Sequence, residues 1–319
     1  MKRINLITHE FYPKRGGAGV VAEELARAAC KPGHEVQVFA PGVPPGRDWP
    51  FRVLEIPNRG TLGWGCRLKT LKLIRQRKDE FAGSILHLVE PGPILACMYG
   101  QLAGLTPDAH KLILTLHGSE ILRFSKTPHR RWLFKQFMKK VDWIHFLSNS
   151  CKQLFQEHFP TNKNCLVVIP GAARSFHGES TTGMVLPEST GKQICLTVAR
   201  IHPRKGQHAC LEAIQKLPEN LRNKVEYWIA GSIVDKSYQQ RLLDMANRAT
   251  VTVRFLGEIA DADLPCLYSR ADLFVMTSVP HAQSIEGFGL VYLEAASYGI
   301  PAIGHRTGGV QESVKEGET

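Results

Sequence analysis

Two carboxylates separated by seven residues, Glu286 and Glu294, flank the stretch Gly287-Phe288-Gly289-Leu290-Val291-Tyr292-Leu293. Gly287 and Gly289 allow a backbone to approach a ligand closely, and a helix starting there can direct its first N–H groups at a phosphate. Glu286, just ahead of that helix, can accept hydrogen bonds from sugar hydroxyls. Glu294, roughly one and a half turns into the helix, can face the same crevice. Among apolar neighbours such a carboxylate is costly to bury unless donors meet it. The plainer alternative is an amphipathic helix that happens to carry two acids.

A second group of candidates lies in Val198-Ala199-Arg200-Ile201-His202-Pro203-Arg204-Lys205-Gly206, which follows an apolar run and precedes a helical pattern. Arg200 and Lys205 fall at the carboxyl edge of a sheet, where open α/β folds bind ligands. Two cations there suit a diphosphate, Arg by its bidentate fork and Lys as a point charge. A solvated basic loop is the alternative. Near the start, Gly16-Gly17-Ala18-Gly19 lies between a strand pattern and a helix, and suits either an anion site or a tight turn. Its spacing is not G-x-G-x-x-G, and Val36-Gln37-Val38-Phe39-Ala40 ends without an acid, which disfavours a nicotinamide site.

The elements that must position these residues alternate along the chain. Ile4–Thr8, Val36–Ala40, Ile85–Val89, Leu112–Leu116 and Trp143–Leu147 read as strands, as do Ile194–Val198, Val225–Ala230, Thr252–Leu256 and Leu273–Met276. Most are nearly continuous apolar runs, as expected for parallel strands buried on both faces. Amphipathic helices separate them, with Val21, Leu25 and Ala28 on one face and Leu133, Phe137 and Val141 on another. The pattern is α/β, and 319 residues predict two domains. The rhythm breaks in the Gly/Ser/Thr/Pro-rich stretch 170–192, which places a boundary near 175 and predicts domains 1–175 and 176–319. A strand-to-helix passage at 305–312 lies close to the last residue, so the second domain is expected to be incomplete.

Composition narrows the classes. Hydrophobic residues make up 43% and charged residues 22%, as in a globular protein. The apolar runs are too short to span a bilayer and the opening residues too polar for a signal-peptide core, so a cytoplasmic location is expected. Eight cysteines with no C-x-x-C pair read as buried, reduced thiols. The net charge of +11 arises entirely in residues 1–150, with 23 Lys+Arg against 12 Asp+Glu; residues 151–319 carry 17 of each. Residues 67–78 place six cations among four aliphatics, and residues 130–140 place five among three aromatics. Such segments suit an anionic surface, a membrane or an acidic acceptor, although the same apolar residues can instead pack on the sheet. Nucleic acid is not expected as a partner.

Taken in order, Gly16-Gly17-Ala18-Gly19, Gly33-His34-Glu35-Val36, Thr115-Leu116-His117-Gly118-Ser119-Glu120, Arg200 with Lys205-Gly206, Phe255-Leu256-Gly257, Glu286 with Glu294, and Gly308-Gly309 resemble glycosyltransferase family 4. The resemblance extends over essentially the whole chain. It implies a GT-B fold of two facing Rossmann-like domains with parallel sheets, and retaining transfer of a sugar from a nucleoside diphosphate to a glycan, lipid or small-molecule acceptor. By the same resemblance, Arg200 and Lys205 neutralise the diphosphate, Glu286 holds the transferred sugar and Glu294 the ribose. The backbone of Phe288, Gly289 and Leu290 lines sugar and phosphate, and Gly17 touches the phosphate. His117 orients the donor sugar, and the backbone near Glu258 and Ile259 meets the base. No metal and no separate cofactor are expected. Two departures stand out: Pro170-Gly171-Ala172-Ala173 replaces the family's Asn-Gly-Val-Asp, and the turn after Val225–Ala230 is reduced to Gly231-Ser232-Ile233. A phosphorylase or epimerase on the same architecture, and a noncatalytic sugar-nucleotide binder, remain as alternatives at this point.

Overall fold

The computed structural model describes residues 1–318 apart from 14–15, 43–47, 59–61, 162–164, 175–182, 184 and 189. The chain divides into two compact units, Met1–Ala172 and Ala173–Thr319. The division falls just before the expected boundary, so Arg174 belongs with the second unit, where it forms ion pairs with Asp261 and Glu294.

The first unit is built on seven strands: β1 (Arg3–Ile7), β2 (Glu35–Pro41), β3 (Arg52–Ile56), β4 (Ile85–Leu88), β5 (Lys111–Leu116), β6 (Trp143–Phe146) and β7 (Leu166–Val168). They lie in the order β3-β2-β1-β4-β5-β6-β7, every pairing parallel. The second unit has β8 (Gln193–Val198), β9 (Val225–Ala230), β10 (Thr252–Gly257), β11 (Leu273–Met276) and β12 (Ala302–Gly304), in the parallel order β10-β9-β8-β11-β12. All nine expected strands are present, each end within one residue of its expected position. Three further strands, β3, β7 and β12, are edge strands, and the strand-to-helix passage expected at 305–312 runs from β12 to the helix Val310–Ser313. The sequences of these three strands are short or interrupted by charge, since an edge needs no continuous apolar run to fill both faces.

Ile7, Phe39, Leu86, Leu88, Leu114, Leu116 and Phe146 form the core of the first unit beneath helix residues such as Ile94, Leu133 and Phe137. Leu196, Trp228, Phe274, Met276 and Tyr292 do the same in the second. The helix Gly17–Cys30 departs from its expected face: Val20, Val21, Ala22, Glu23 and Ala26 are buried, whereas Ala28 is exposed. Small alanines allow close packing on the sheet. Glu23 is tolerated there because Arg27 (2.8 Å) and the Trp49 indole (3.4 Å) donate to it. No disulfide joins the eight cysteines, but the expectation that all are buried fails at Cys266, which is exposed, and at Cys30, which is half-buried.

Candidate functional site

The second sheet has a topological switch. From β8 the chain moves outward through β9 and β10, then returns so that β11 lies on the other side of β8. Loops leaving β8 and β11 therefore diverge at the carboxyl edge, where such sheets bind ligands. These are the loops that carry Arg200–Gly206 and Thr277–Gly289, and they are tied together. The Thr277 hydroxyl donates to Gly206 O (2.9 Å), and Val279 N–H to Arg204 O (2.8 Å). Gly206 has φ +69°, and a Cβ there would lie 2.0 Å from Thr277 O, so only glycine permits this approach.

Glu286 is the hub of the junction. Its Oε2 receives Lys205 Nζ (2.7 Å), Arg204 Nη1 (2.6 Å) and Ser278 Oγ (3.1 Å). Burial pushes this carboxyl upward, but the charges of Lys205 and Arg204 outweigh it and hold Glu286 well below the usual carboxylate range. Burial lowers the Lys205 ammonium, and Glu286 pulls it back. The Glu286 backbone is held too: Gly309 N–H donates to its carbonyl at 3.0 Å, and a Cβ on Gly308 (φ +53°) would come within 2.1 Å of that oxygen. The Gly308-Gly309 pair is thus a seat for Glu286. Arg200 is exposed and has no ion pair among the described residues.

Past Gly289 (φ +89°) begins the helix Leu290–Ser297. Phe288 and Leu290 are buried, and Phe288 O accepts from Ser313 Oγ (2.7 Å). Glu294 is only 1% exposed. Its Oε2 accepts from the Tyr268 hydroxyl (2.8 Å), and its Oε1 lies 3.4 Å from Arg174 Nε. The two carboxylates therefore answer to different partners, Glu286 to the loop after β8 and Glu294 to Tyr268 and Arg174. Ile259, two residues beyond β10, is half-buried against the core, and Glu258 beside it is exposed.

The first sheet has its own switch, between β1 and β4. Glu90, directly after β4, caps the helix Pro91–Gly100 by accepting from Gly92 N–H (3.0 Å), and accepts from His9 N–H (2.9 Å) in the loop after β1. Burial is the main influence on this carboxyl, which is pushed up to about 8; the two N–H donors oppose that rise, while Glu10 and Glu120 add to it. Gly17 opens the helix Gly17–Cys30 and is exposed. His117 follows β5, with Nε2 2.8 Å from Val89 O. A carbonyl only accepts, so this nitrogen carries the proton and the ring is anchored to the backbone at Val89.

Arg204, Ser278, Tyr268, Arg174 and Glu90 were not singled out from the sequence. Two of them left a signal there. Arg204 stands between cations already identified, and Glu90-Pro91 after an apolar run has the form of a helix start. For Tyr268 and Arg174 the partner, Glu294, lies too far along the chain for any local pattern to show it.

Two family models match the chain: one described as Glycosyltransferase Family 4 over residues 15–173, the other as Glycosyl transferases group 1 over residues 184–319. A GDP-mannose-dependent alpha-(1-6)-phosphatidylinositol monomannoside mannosyltransferase of Mycolicibacterium smegmatis is 26% identical over 98% of this chain and 83% of its own. N-acetyl-alpha-D-glucosaminyl L-malate synthase of Bacillus anthracis is 23% identical over 97% of this chain and 80% of its own. Among solved structures, Anabaena HepE in complex with UDP and glucose is similar with a TM-score of 0.71 at 18% identity, covering 99% of this chain and 84% of that one.

Proposed function

The chain belongs to glycosyltransferase family 4 and is a nucleotide-sugar-dependent glycosyltransferase of GT-B fold; from that premise we propose that it transfers mannose from GDP-mannose with retention of the anomeric configuration, without a bound metal or separate cofactor. The observation that carries this reading is the cation–carboxylate junction at the second sheet's switch point, where Arg204 and Lys205 converge on Glu286. Glu286, held ionised and aimed, receives hydroxyls of the transferred sugar. Arg200 and Lys205 offset charge on the departing diphosphate, an electrostatic contribution made where charge develops. The bond from the anomeric carbon to the β-phosphate oxygen breaks, and a bond to the acceptor oxygen forms on the same face. The acceptor proton passes to the departing phosphate. Glu294 takes the ribose, the backbone of Phe288, Gly289 and Leu290 lines sugar and phosphate, and that near Ile259 meets the base.

The choice of mannose and guanine is supported by the likeness to the GDP-mannose-dependent mannosyltransferase of Mycolicibacterium smegmatis. A thermal-shift series over GDP, UDP, ADP and their sugars tests it, because a ligand that binds only the folded state raises its stability, by about 2.7 kcal/mol at a hundredfold excess over Kd. GDP and GDP-mannose are expected to give the largest shifts. A larger shift with a uridine or adenosine pair would replace the donor assignment, and an inverted product anomer would remove the mechanism.

The acceptor we propose is an anionic lipid-linked glycan, met at a membrane surface by the first unit. In the helix Trp64–Gln76, Trp64 (62%) and Leu68 (63%) are exposed one turn apart, with Lys69, Lys72 and Arg75 exposed around them. In the helix Pro128–Met138, Trp132 is 56% exposed beside Arg131 and Lys135. The starts of the two helices are linked, since Tyr99 lies 5.2 Å from the Trp64 ring and 6.1 Å from His129. Not every apolar residue of the two basic segments is available: Ile74, Phe134 and Phe137 are in the core. The surface therefore rests on Trp64, Leu68, Trp132 and the cations. Among the described residues no helix is long and apolar enough to cross a membrane. Cosedimentation with vesicles is expected to rise with anionic lipid, each surface cation contributing about 1 kcal/mol, and to fall with salt. Equal recovery with neutral and anionic vesicles at low salt would leave a soluble acidic acceptor in place of the membrane.

A further inference from the structure

Glu294 presents an unusual balance of partners. It is buried, one carboxylate oxygen is occupied by the Tyr268 hydroxyl at 2.8 Å, and Oε1 accepts no hydrogen bond among the described residues. What faces Oε1 is a cation, Arg174, whose Nε is 3.4 Å away. Arg174 is itself 12% exposed and is gripped from its other side by Asp261, in the short turn Asp261–Asp263 that follows the β10 loop. A buried carboxylate without a nearby positive charge is strongly unfavourable. At 3.4 Å the guanidinium supplies that charge while leaving Oε1 with acceptor capacity.

We propose that Arg174 is a positioning residue for the donor: clamped by Asp261, it offsets the charge of Glu294 and leaves the buried Oε1 without a hydrogen bond, as an acceptor for a ribose hydroxyl of the bound nucleoside diphosphate. The proposal rests on Glu294 being the ribose-binding carboxylate. A ribose diol brings two hydroxyl donors, and a carboxylate whose second oxygen is not consumed by a hydrogen bond can receive one at its full strength. Tyr268, stacked on Tyr298 at 5.5 Å, fixes the first oxygen, and Arg174 meets the second through charge alone at 3.4 Å. Selectivity for ribose would thus depend on a residue that touches no part of the ligand.

The test compares binding of GDP and 2′,3′-dideoxy-GDP to the full chain and to Arg174→Gln and Arg174→Lys. The unaltered protein is expected to prefer GDP. Arg174→Gln should lose at least tenfold in GDP affinity with little change for the dideoxy compound, and Arg174→Lys should recover most of the loss. With GDP-mannose, KM should rise more than kcat falls. Asp261→Asn, which loosens the clamp, should show the same signature more weakly and serves if Arg174→Gln does not fold. No preference in the unaltered protein would overturn the Glu294 assignment itself. A preference that survives unchanged while Arg174→Gln weakens both nucleotides equally would leave that assignment standing and overturn this one. Tighter GDP binding by Arg174→Gln would also overturn it, because Arg174 would then be competing with the ribose.

Discussion

Lys205→Ala is expected to lower kcat/KM for transfer by at least tenfold and by as much as about a thousandfold, the range for removing one preorganised group that meets developing charge. Arg200→Ala is expected to lower it by at least tenfold. The two losses differ in kind. Arg200 is exposed and without an ion pair among the described residues, so its removal affects the diphosphate alone. Lys205 also pairs with Glu286, so its removal leaves that carboxylate to Arg204 and Ser278 and disturbs the sugar position as well. Steady-state kinetics with the donor saturating and subsaturating separates these contributions. Near-wild-type turnover by both single variants would sink the diphosphate assignment.

Glu286→Gln and Glu294→Gln are expected to fail differently. Glu286→Gln should cut transfer by at least tenfold yet leave binding of free GDP nearly unchanged at neutral pH, since GDP lacks the sugar. Glu294→Gln should weaken GDP and GDP-mannose alike. The first substitution also carries a pH signature. Burial lowers the Lys205 ammonium and Glu286 is the main influence raising it, so loss of Glu286 lowers it further. Lys205 is charged below its folded pKa and loses that charge as pH rises through it. The residual activity of Glu286→Gln should therefore decline at lower pH on its alkaline side than that of the unaltered protein. Equal effects of the two substitutions on GDP affinity, measured by calorimetry, would refute the division of roles.

Much of the fold was written locally. Leu273–Met276 is a central-sheet sequence, apolar on both faces, and Val225–Ala230 is one apart from Glu226, whose charge Arg254 meets; their bounds are readable residue by residue. Arg52–Ile56, with charges at Arg52 and Glu55, carries no such run, and only its pairing with β2 makes it a strand. The basic segments divide in the same way. Leu68, Trp132, Phe134 and Phe137 look alike in sequence, yet two are core and two are exposed because helix rotation on the sheet decides which face is buried.

For the site, the sequence by itself determined the chemistry on offer. The Glu286–Glu294 spacing, the cations of the loop after β8 and the glycines that allow close approach are properties of short segments, set by residue type and local backbone freedom. Tertiary structure decided the pairing. Strand order places β11 beside β8, and only then does Glu286 meet Arg204 and Lys205. Packing against Tyr268 turns Glu294 away from that group and toward Arg174, at the opposite end of the second unit's sequence. The physical reason is that a buried charge takes whichever partner the sheet topology brings within a few ångströms, and that proximity is a property of the folded chain as a whole.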